Sequence, residues 1–279
     1  WLAKQFGGAA LLALFFFSGA STCLRKAIER KMGKGLRVAT VYWMVFAAAV
    51  SVLWLIYAFF AVHVRLHSFG LSQQSFIRWF SQAGKEIALI VGTGTVLIWL
   101  PYWLQAKAPR RWWCFVGAGL AGLVVFTTLI TPIWIDPLFH DLTRLEDEQL
   151  EQRLLNLAQK CGIEADRIYQ VNVSGDVKFV NAYVNGMFGT ARIVMWDTTL
   201  QQLDVDQIQF VMAHEMGHYV LGHIYAAVFW GSLAAFFGCG LVVGICELLL
   251  KRFGNRIEVE SLADPAAMPL IMLIALLTW

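Results

Sequence analysis

Residues 211–250 read VMAHEMGHYVLGHIYAAVFWGSLAAFFGCGLVVGICELLL, and two different patterns meet in this stretch. At its start, two histidines lie four residues apart, and a glutamate directly follows the first of them. From Tyr219 onward about 32 residues are apolar, interrupted mainly by His223 and Glu247. Because a transmembrane helix needs about 20 apolar residues, this run is more than long enough to cross a bilayer. The stretch therefore predicts that a helix carrying the two histidines runs into a membrane span.

The composition of the whole chain also indicates a membrane protein. Of its 279 residues 58% are hydrophobic and only 15% are charged, and its 12 Trp and 20 Phe exceed what the core of a soluble domain of this length needs. The net charge of +3 is small and dispersed, which argues against a nucleic-acid partner. The five cysteines are an odd number without C-x-x-C spacing, so they predict neither a disulfide framework nor a thiolate metal site. The expected partner is a lipid bilayer.

Four long apolar runs precede residue 136, at 6–24, 38–62, 87–104 and 112–135. Four such runs in succession would need a very large core if they were buried in a soluble protein. We therefore interpret residues 1–135 as an N-terminal transmembrane region with about four spans. The chain is expected to be an integral multi-pass membrane protein of a bacterial inner membrane.

Residues 136–218 differ from the rest, because charged residues return and the apolar residues become periodic. This change indicates a water-exposed domain. In the stretch 143–162, Thr143 and Glu146 have the spacing of a capping box, four leucines share one helical stripe, and Gly162 can end a helix. The pattern predicts an amphipathic helix that begins near Thr143.

Three short runs rich in β-branched and aromatic residues follow, at 167–173, 178–184 and 191–196. The turn residues SGD at 174–176 and NGMFGT at 185–190 separate them, so they predict a small, mostly antiparallel sheet. Asp204 or Asp206 can cap a new helix from about Val205 that contains the two histidines. The predicted fold class is an α-helical multi-pass membrane protein with a small α+β domain.

On that helix the two histidines can bind one metal ion together. Four residues advance an α-helix by about 400°, so His214 and His218 lie within roughly 40° of each other and one turn apart. Zinc held by two helical histidines keeps room for a third ligand and a water of lowered pKa, and Glu215 is placed to take the proton of that water. This chemistry hydrolyses peptide bonds. His223, nine residues after His214, points to roughly the opposite face of a continuous helix, so a structural or interfacial role is predicted for it.

Four stretches of the sequence occur in a characteristic combination. They are FGLSQQSFIRWF at 69–80, IDPLFHDLTRLEDEQL at 135–150, FVNAYVNGMFGTARIVMWDTTL at 179–200 and HEMGH at 214–218. In this combination the chain resembles the membrane zinc metalloproteases of the type I CAAX prenyl endopeptidase family, which includes the bacterial heat-shock membrane proteases. The resemblance runs from about residue 60 to residue 279.

The resemblance implies a helical membrane barrel around a water-filled chamber and a gluzincin-like zinc-metallopeptidase domain. It implies one zinc ion per chain, bound by His214, His218 and a downstream Glu. It also implies that Asn181, Ala182 and Tyr183 form an edge strand that holds the backbone of a peptide or protein substrate. An exposed strand edge can bind an extended peptide by β-augmentation, which depends little on the side chains of the peptide.

The third ligand implied by the resemblance is the Glu of an E-x-x-x-D helix, and only Glu260 to Asp264 matches that spacing locally. Asp264 followed by Pro265 is typical of a helix N-cap, which places Glu260 before the helix. Residues 219–279 are interpreted as a C-terminal transmembrane region that stops within a span, because only 14 residues follow Pro265. The third ligand is therefore expected beyond residue 279.

The leading hypothesis is a zinc-dependent membrane endopeptidase that hydrolyses peptide bonds of membrane-associated or misfolded polypeptides. The stretch SGDVKFV before Asn181 differs from the Ser-, Arg- and His-rich stretch of the prenyl-processing members, which argues against a prenylated substrate. The alternative is a catalytically silent membrane scaffold that retains the protease fold. A transporter is a third possibility, but the predicted spans carry almost none of the charges that it needs.

The side of the membrane on which the zinc domain lies stays open. The distribution of Lys and Arg between the predicted loops places this domain outside the cytoplasm. The resemblance places it on the cytosolic side.

Overall fold

The computed structural model of the chain describes residues 2–139, 141–186 and 192–278. The chain forms two compact units. The helical unit consists of Trp1–Trp54, Lys85–Gly122 and Ser232–Trp279, and the sheet unit consists of Leu55–Gly84 and Leu123–Gly231. Because segments of the two units alternate along the chain, several long helices begin in one unit and end in the other.

The first half of the chain is almost entirely helical, as its apolar composition predicts. Its helices are α1 (Leu2–Phe17), α2 (Ala20–Met32), α3 (Leu36–Ala58), α4 (Arg65–Ser68), α5 (Phe76–Leu97), α6 (Trp99–Lys107), α7 (Trp112–Ile130) and α8 (Asp136–Phe139). Two π-helical segments, Phe59–Val64 and Thr131–Ile135, join α3 to α4 and α7 to α8. The helices extend beyond the apolar runs 38–62 and 87–104 into the polar residues 63–68 and 76–86, because a helix nucleated in an apolar run gains one backbone hydrogen bond with each further residue.

Four helical segments of the described chain are long and apolar enough to cross a membrane, namely Leu36–Ser68, Phe76–Lys107, Trp112–Ile130 and His223–Ile257. The first predicted run, in contrast, is not one straight helix, because Gln5–Phe17 and Ala20–Met32 meet at an angle of 57°. Gly19 lies at this break with a φ of 80°, a left-handed conformation that glycine adopts without steric cost. If the bent pair is one span, the described residues contain up to five spans.

The sheet unit contains four described strands in the order β1-β2-β4-β3. They are β1 (Leu142–Arg144), β2 (Ile168–Val171), β3 (Ala182–Asn185) and β4 (Arg192–Trp196). The pairs β1–β2 and β3–β4 are antiparallel and the central pair β2–β4 is parallel, so the expected antiparallel pairing holds for two of the three pairs. Most of the turn predicted before β4, from Met187 to Thr190, lies outside the described residues.

Strand β1 occupies residues for which the sequence predicts a helix start. Thr143 pairs with Gln170 of β2, and α9 (Glu148–Lys160) begins only after this pairing ends. Asp147 is the N-cap of α9, and its side chain accepts hydrogen bonds from two backbone N–H groups of the first turn. The capping box predicted for Thr143 and Glu146 is therefore wrong, because strand pairing removes Thr143 from the helix.

The next three helices along the chain are α10 (Asp197–Gln202), α11 (Val205–Val220) and α12 (His223–Ile257). Asp204 caps α11 in a capping box with Gln207, so one of the two aspartates proposed from the sequence is the cap. Helix α11 ends at Val220, and Gly222, with a φ of 69°, separates it from α12. The span therefore follows α11 as predicted, but a turn of two residues interrupts the helix before it.

Each unit has its own apolar core. In the sheet unit the core includes the fully buried side chains of Leu154, Ile168, Ile193, Met195, Met212 and Met216. In the helical unit, α1 packs along α13 (Met268–Thr278), and Phe16, Cys246 and Leu270 are buried.

A short 3-10 helix, Pro265–Ala267, precedes α13 and begins as its sequence predicts. The side chain of Asp264 accepts a hydrogen bond of 2.8 Å from the backbone N–H of Ala266 and so caps this helix. Glu260 lies before it, outside any helix, which agrees with the expectation from the Asp-Pro pair.

Candidate active site

The two histidines of α11 lie side by side. The Nε2 atoms of His214 and His218 are 3.0 Å apart, and their ring centroids are 4.7 Å apart. Two nitrogen ligands placed about 2.0–2.1 Å from a tetrahedral zinc ion are about 3.3 Å apart, so a small side-chain movement lets both bind one ion. Both side chains are exposed. The pair therefore fits two ligands of a zinc ion.

Packing of α11 in the sheet unit decides which way the histidines face. Ile208, Met212 and Met216 are buried at intervals of four residues, so one face of α11 lies in the apolar core. His214 and His218 each follow a buried methionine by two residues, which is about 200° around the helix. The buried methionines thus hold both imidazoles on the opposite, exposed face.

Glu215 is the residue next to His214 and is partly exposed. One residue advances an α-helix by about 100°, so Glu215 lies between the buried face and the histidine face of α11. Within the described residues, no three His, Cys, Asp or Glu side chains are arranged to hold a metal ion. The structure therefore brings together two of the three ligands that the resemblance implies.

His223 lies close to this pair, contrary to the prediction that it faces the other way. Its Nδ1 is within hydrogen-bond distance of Nδ1 of His218, and the two ring centroids are 4.7 Å apart. The prediction assumed a continuous helix, whereas the turn at Gly222 brings the first residue of α12 back towards α11. His218 therefore faces His214 with Nε2 and His223 with Nδ1.

The residues expected to bind a substrate backbone lie in or next to β3, which is an edge strand of the described sheet and packs against α11. Ala182 is buried and Tyr183 is partly buried, whereas Asn181 is exposed just before the strand. The backbone N–H of Asn181 donates to the Thr199 hydroxyl at 2.9 Å, and its carbonyl accepts from the Trp196 N–H at 3.0 Å. These bonds fix the entry into β3 from the side of β4 and α10.

Sequence reasoning missed a polar cluster around a buried carboxylate that lies directly before this strand. Asp176, in the SGD turn, is 6% exposed and forms an ion pair with Arg78 of α5 at 2.7 Å. The two residues are 98 positions apart, so no local spacing could reveal the pair. The only signal was that the stretch containing Arg78, FGLSQQSFIRWF, belongs to the resemblance described above.

Fold and site together define a class, the multi-pass membrane proteins that carry a metallopeptidase domain. The family model of Peptidase family M48 matches residues 144–278, and that of the CAAX prenyl protease N-terminal region, described as five membrane helices, matches residues 2–141. The chain belongs to the CAAX prenyl protease family, whose N-terminal model covers half of it, and its C-terminal part matches the model of peptidase family M48.

Two relatives illustrate the similarity of sequence. The chain is 29% identical to the uncharacterized metalloprotease YhfN of Bacillus subtilis over 95% of its own length and 62% of that protein. It is 28% identical to CAAX prenyl protease 1 of Saccharomyces cerevisiae over 75% of its own length and 47% of that protein. The chain thus spans less than two thirds of these relatives.

The crystal structure of S. mikatae Ste24p has the same fold, with a TM-score of 0.84 over 96% of this chain and 66% of that one, at 22% sequence identity. The predicted fold class is therefore confirmed, and the chain is an integral multi-pass membrane protein. Membership of a metallopeptidase family implies a metal cofactor.

Proposed function

We propose that this chain carries the catalytic part of a zinc-dependent endopeptidase that cleaves membrane-associated or misfolded polypeptides. The observation that supports this most directly is the 3.0 Å separation of the His214 and His218 Nε2 atoms on a helix that packs against an edge strand. A pair of histidines that can hold a metal ion, placed beside a strand edge, would provide the two things that peptide hydrolysis needs, which are an activated water and an extended substrate.

His214 and His218 would hold one zinc ion per chain through their Nε2 atoms. A zinc ion there supplies Lewis acidity, which lowers the pKa of water towards neutrality. Glu215 accepts the proton of the attacking water on its carboxylate and then gives that proton to the nitrogen of the leaving amine. His223 orients the His218 ring through Nδ1, since metal-binding histidines usually have a partner on their second ring nitrogen.

Asn181, Ala182 and Tyr183 would hold the substrate as an additional strand. Backbone hydrogen bonds along the edge of β3 give affinity without requiring particular side chains, which suits a protease for unfolded segments. The stretch 174–180 before Asn181 differs from that of the prenyl-processing members, so we infer an unprenylated, extended peptide as the substrate class.

The test is Glu215→Gln in the full-length protein, purified in detergent with zinc. Cleavage of an unfolded peptide should fall by about 10²–10⁴-fold, because the general base is lost, while zinc stays at one ion per chain, because both histidines remain. Glu148→Gln, which changes an exposed glutamate in the first turn of α9, is the matched control and should cleave normally.

Each outcome of this experiment separates two hypotheses. Normal turnover by Glu215→Gln with zinc bound contradicts the proposed role of Glu215. A wild-type protein that binds zinc and peptide but never cleaves supports the silent scaffold instead.

A further inference from the structure

A buried carboxylate lies at the centre of a polar cluster in the sheet unit, close to the proposed substrate strand. Asp176 receives hydrogen bonds on both oxygens, since Arg78 Nε lies 2.7 Å from Oδ1 and Arg78 Nη2 lies 2.9 Å from Oδ2. Gln74 Nε2 donates to Oδ1 at 3.1 Å, and Gln82 Nε2 donates to Oδ2 at 3.4 Å. Arginine matches a carboxylate with two parallel bonds of this kind, which fix orientation as well as distance.

The backbones around this cluster are joined as well. The Ser72 hydroxyl donates to the Asp176 carbonyl, and Ser72 forms an antiparallel bridge with Val177. The backbone N–H of Lys178 donates to the Leu71 carbonyl at 3.0 Å. The segment before α5 and the segment before β3 are therefore held together by side-chain and backbone bonds.

Helix α10 also holds the segment before β3. The Thr198 hydroxyl donates to the Phe179 carbonyl, the Thr199 hydroxyl donates to the Asn181 carbonyl at 2.7 Å, and Gln202 Nε2 donates to the Lys178 carbonyl at 2.9 Å. The residues between Asp176 and β3 thus have little freedom to shift along the strand direction.

We propose that Asp176 and Arg78 are a positioning pair, which fixes the register of the β3 edge beside the histidines of α11 and thereby sets the affinity for peptide. The inference rests on the proposed function, because it assumes that β3 binds substrate. An edge strand binds an extended peptide through its backbone hydrogen-bonding groups, so a strand that shifts along α11 presents these groups poorly and binds the peptide more weakly. Neither residue is expected to contact the peptide or the metal.

The sheet unit offers a matched control pair of the same chemistry. Arg144 Nη2 lies 2.6 Å from Oε2 of Glu151, which is 3% exposed. This pair joins β1 to α9, and β1 is at the opposite edge of the described sheet from β3. Breaking it should destabilise the same unit without touching the entry into β3.

The experiment compares Arg78→Met and Asp176→Asn with Arg144→Met in zinc-loaded full-length protein. For an extended peptide, the first two variants should raise KM about tenfold, leaving kcat and zinc affinity within about twofold, whereas Arg144→Met should leave KM unchanged. Arg78→Lys keeps the charge but loses the two-pronged geometry, so its KM should lie between the wild-type and Arg78→Met values.

Two further measurements do not depend on turnover. In the Glu215→Gln background, peptide affinity measured by fluorescence anisotropy should fall about tenfold with Asp176→Asn and stay constant with Arg144→Met. Amide hydrogen exchange at 182–185 should become faster only in the Asp176 and Arg78 variants.

If Arg144→Met changed KM and amide hydrogen exchange at 182–185 as much as Arg78→Met and Asp176→Asn do, the positioning role would be overturned. The Asp176 cluster would then contribute to stability alone. Unchanged exchange at 182–185 in Asp176→Asn would overturn it as well. A wild-type protein that binds zinc and shows the expected exchange pattern but binds no peptide would overturn the substrate role of β3 and hence this inference. The proposed metal site would then remain.

Discussion

His218 lies between two other histidines, and each of its ring nitrogens faces one of them. Residues that hold the second nitrogen of a metal-binding histidine fix its tautomer and its ring orientation, and their loss typically costs about 10–100-fold in metal affinity. His223→Ala should therefore keep one zinc ion per chain at saturation but weaken zinc affinity by about that factor. Elemental analysis gives the stoichiometry, and competition with a chelator gives the affinity.

The variant His223→Gln is the control, because its amide can still form a hydrogen bond with His218. It should recover most of the lost affinity. Complete loss of zinc from His223→Ala would instead make His223 a direct ligand, and unchanged affinity would mean that its contact with His218 has no effect.

Glu151 gives a prediction about acid stability. The hydrogen bond from the Arg144 guanidinium holds the pKa of Glu151 below its ordinary value, burial opposes this, and the Ile168 backbone N–H assists it. Because the folded-state pKa is lowered, the pair contributes stability above the ordinary carboxyl pKa, and this stability is lost as the pH falls through the lowered pKa.

The free energy of unfolding of Glu151→Gln should therefore be lower than that of the wild type at neutral pH, and the difference should shrink below about pH 4. Denaturant titrations at a series of pH values measure both effects. Arg144→Met should begin to unfold at a higher pH than the wild type, and an identical acid transition in the two proteins would contradict the prediction.

At the scale of the element, the turn between α11 and α12 decides where His223 lies. Gly222 has a φ of 69°, and its backbone N–H donates to the Tyr219 carbonyl at 3.0 Å, an arrangement typical of a glycine that ends a helix. A Cβ at this position would lie 3.7 Å from the Tyr225 ring, so the cost of a substitution comes from the backbone conformation and not from a clash.

Gly222→Ala should therefore destabilise the protein by about 1 kcal/mol and weaken zinc binding, because His223 shifts away from His218. Gly217→Ala is the matched control, since Gly217 lies inside α11 without a positive φ and with open space around its Cβ position. It should stabilise the helix by about 0.5–1 kcal/mol. Thermal unfolding and zinc titration of both variants measure these effects. Equal changes in unfolding temperature and in zinc affinity in the two variants would refute the special role of Gly222.

At the scale of the whole molecule, the proposed site lies next to a membrane span. His218 precedes the segment His223–Ile257 by five residues, which corresponds to about 8 Å at the rise of an α-helix and to less across a turn. The metal would then lie near the membrane interface, where an anchored peptide is concentrated. A compact soluble protein would have to unfold before it could pair with β3.

We therefore expect the full-length enzyme to cleave an extended, membrane-anchored peptide much faster than the same sequence inside a folded soluble domain. A competition assay in proteoliposomes with both substrates, distinguished by mass, gives the ratio of rates directly. Destabilising the soluble domain should raise its rate, and equal rates for the anchored and the stably folded substrate would refute this placement of the site.

The sequence by itself determined the features that depend on neighbours within about four residues or on the length of an apolar run. That His214 and His218 lie on the same face follows from the period of the helix, and the cap at Asp264 follows from a side chain that bonds to a backbone N–H two residues away. The same reasoning narrowed the cap of α11 to Asp204 or Asp206, and the structure shows that it is Asp204. The lengths of the apolar segments likewise indicated most of the membrane spans.

Only the tertiary structure decided the features that depend on distant partners. Thr143 is in a strand and not in a helix because it pairs with Gln170, and Asp176 meets Arg78 across 98 residues. His223 reaches His218 because one glycine turns the chain, whereas the helical pattern on both sides predicts no interruption. Local propensities differ by less than about 1 kcal/mol per residue for ordinary side chains, so a few long-range hydrogen bonds are enough to override them.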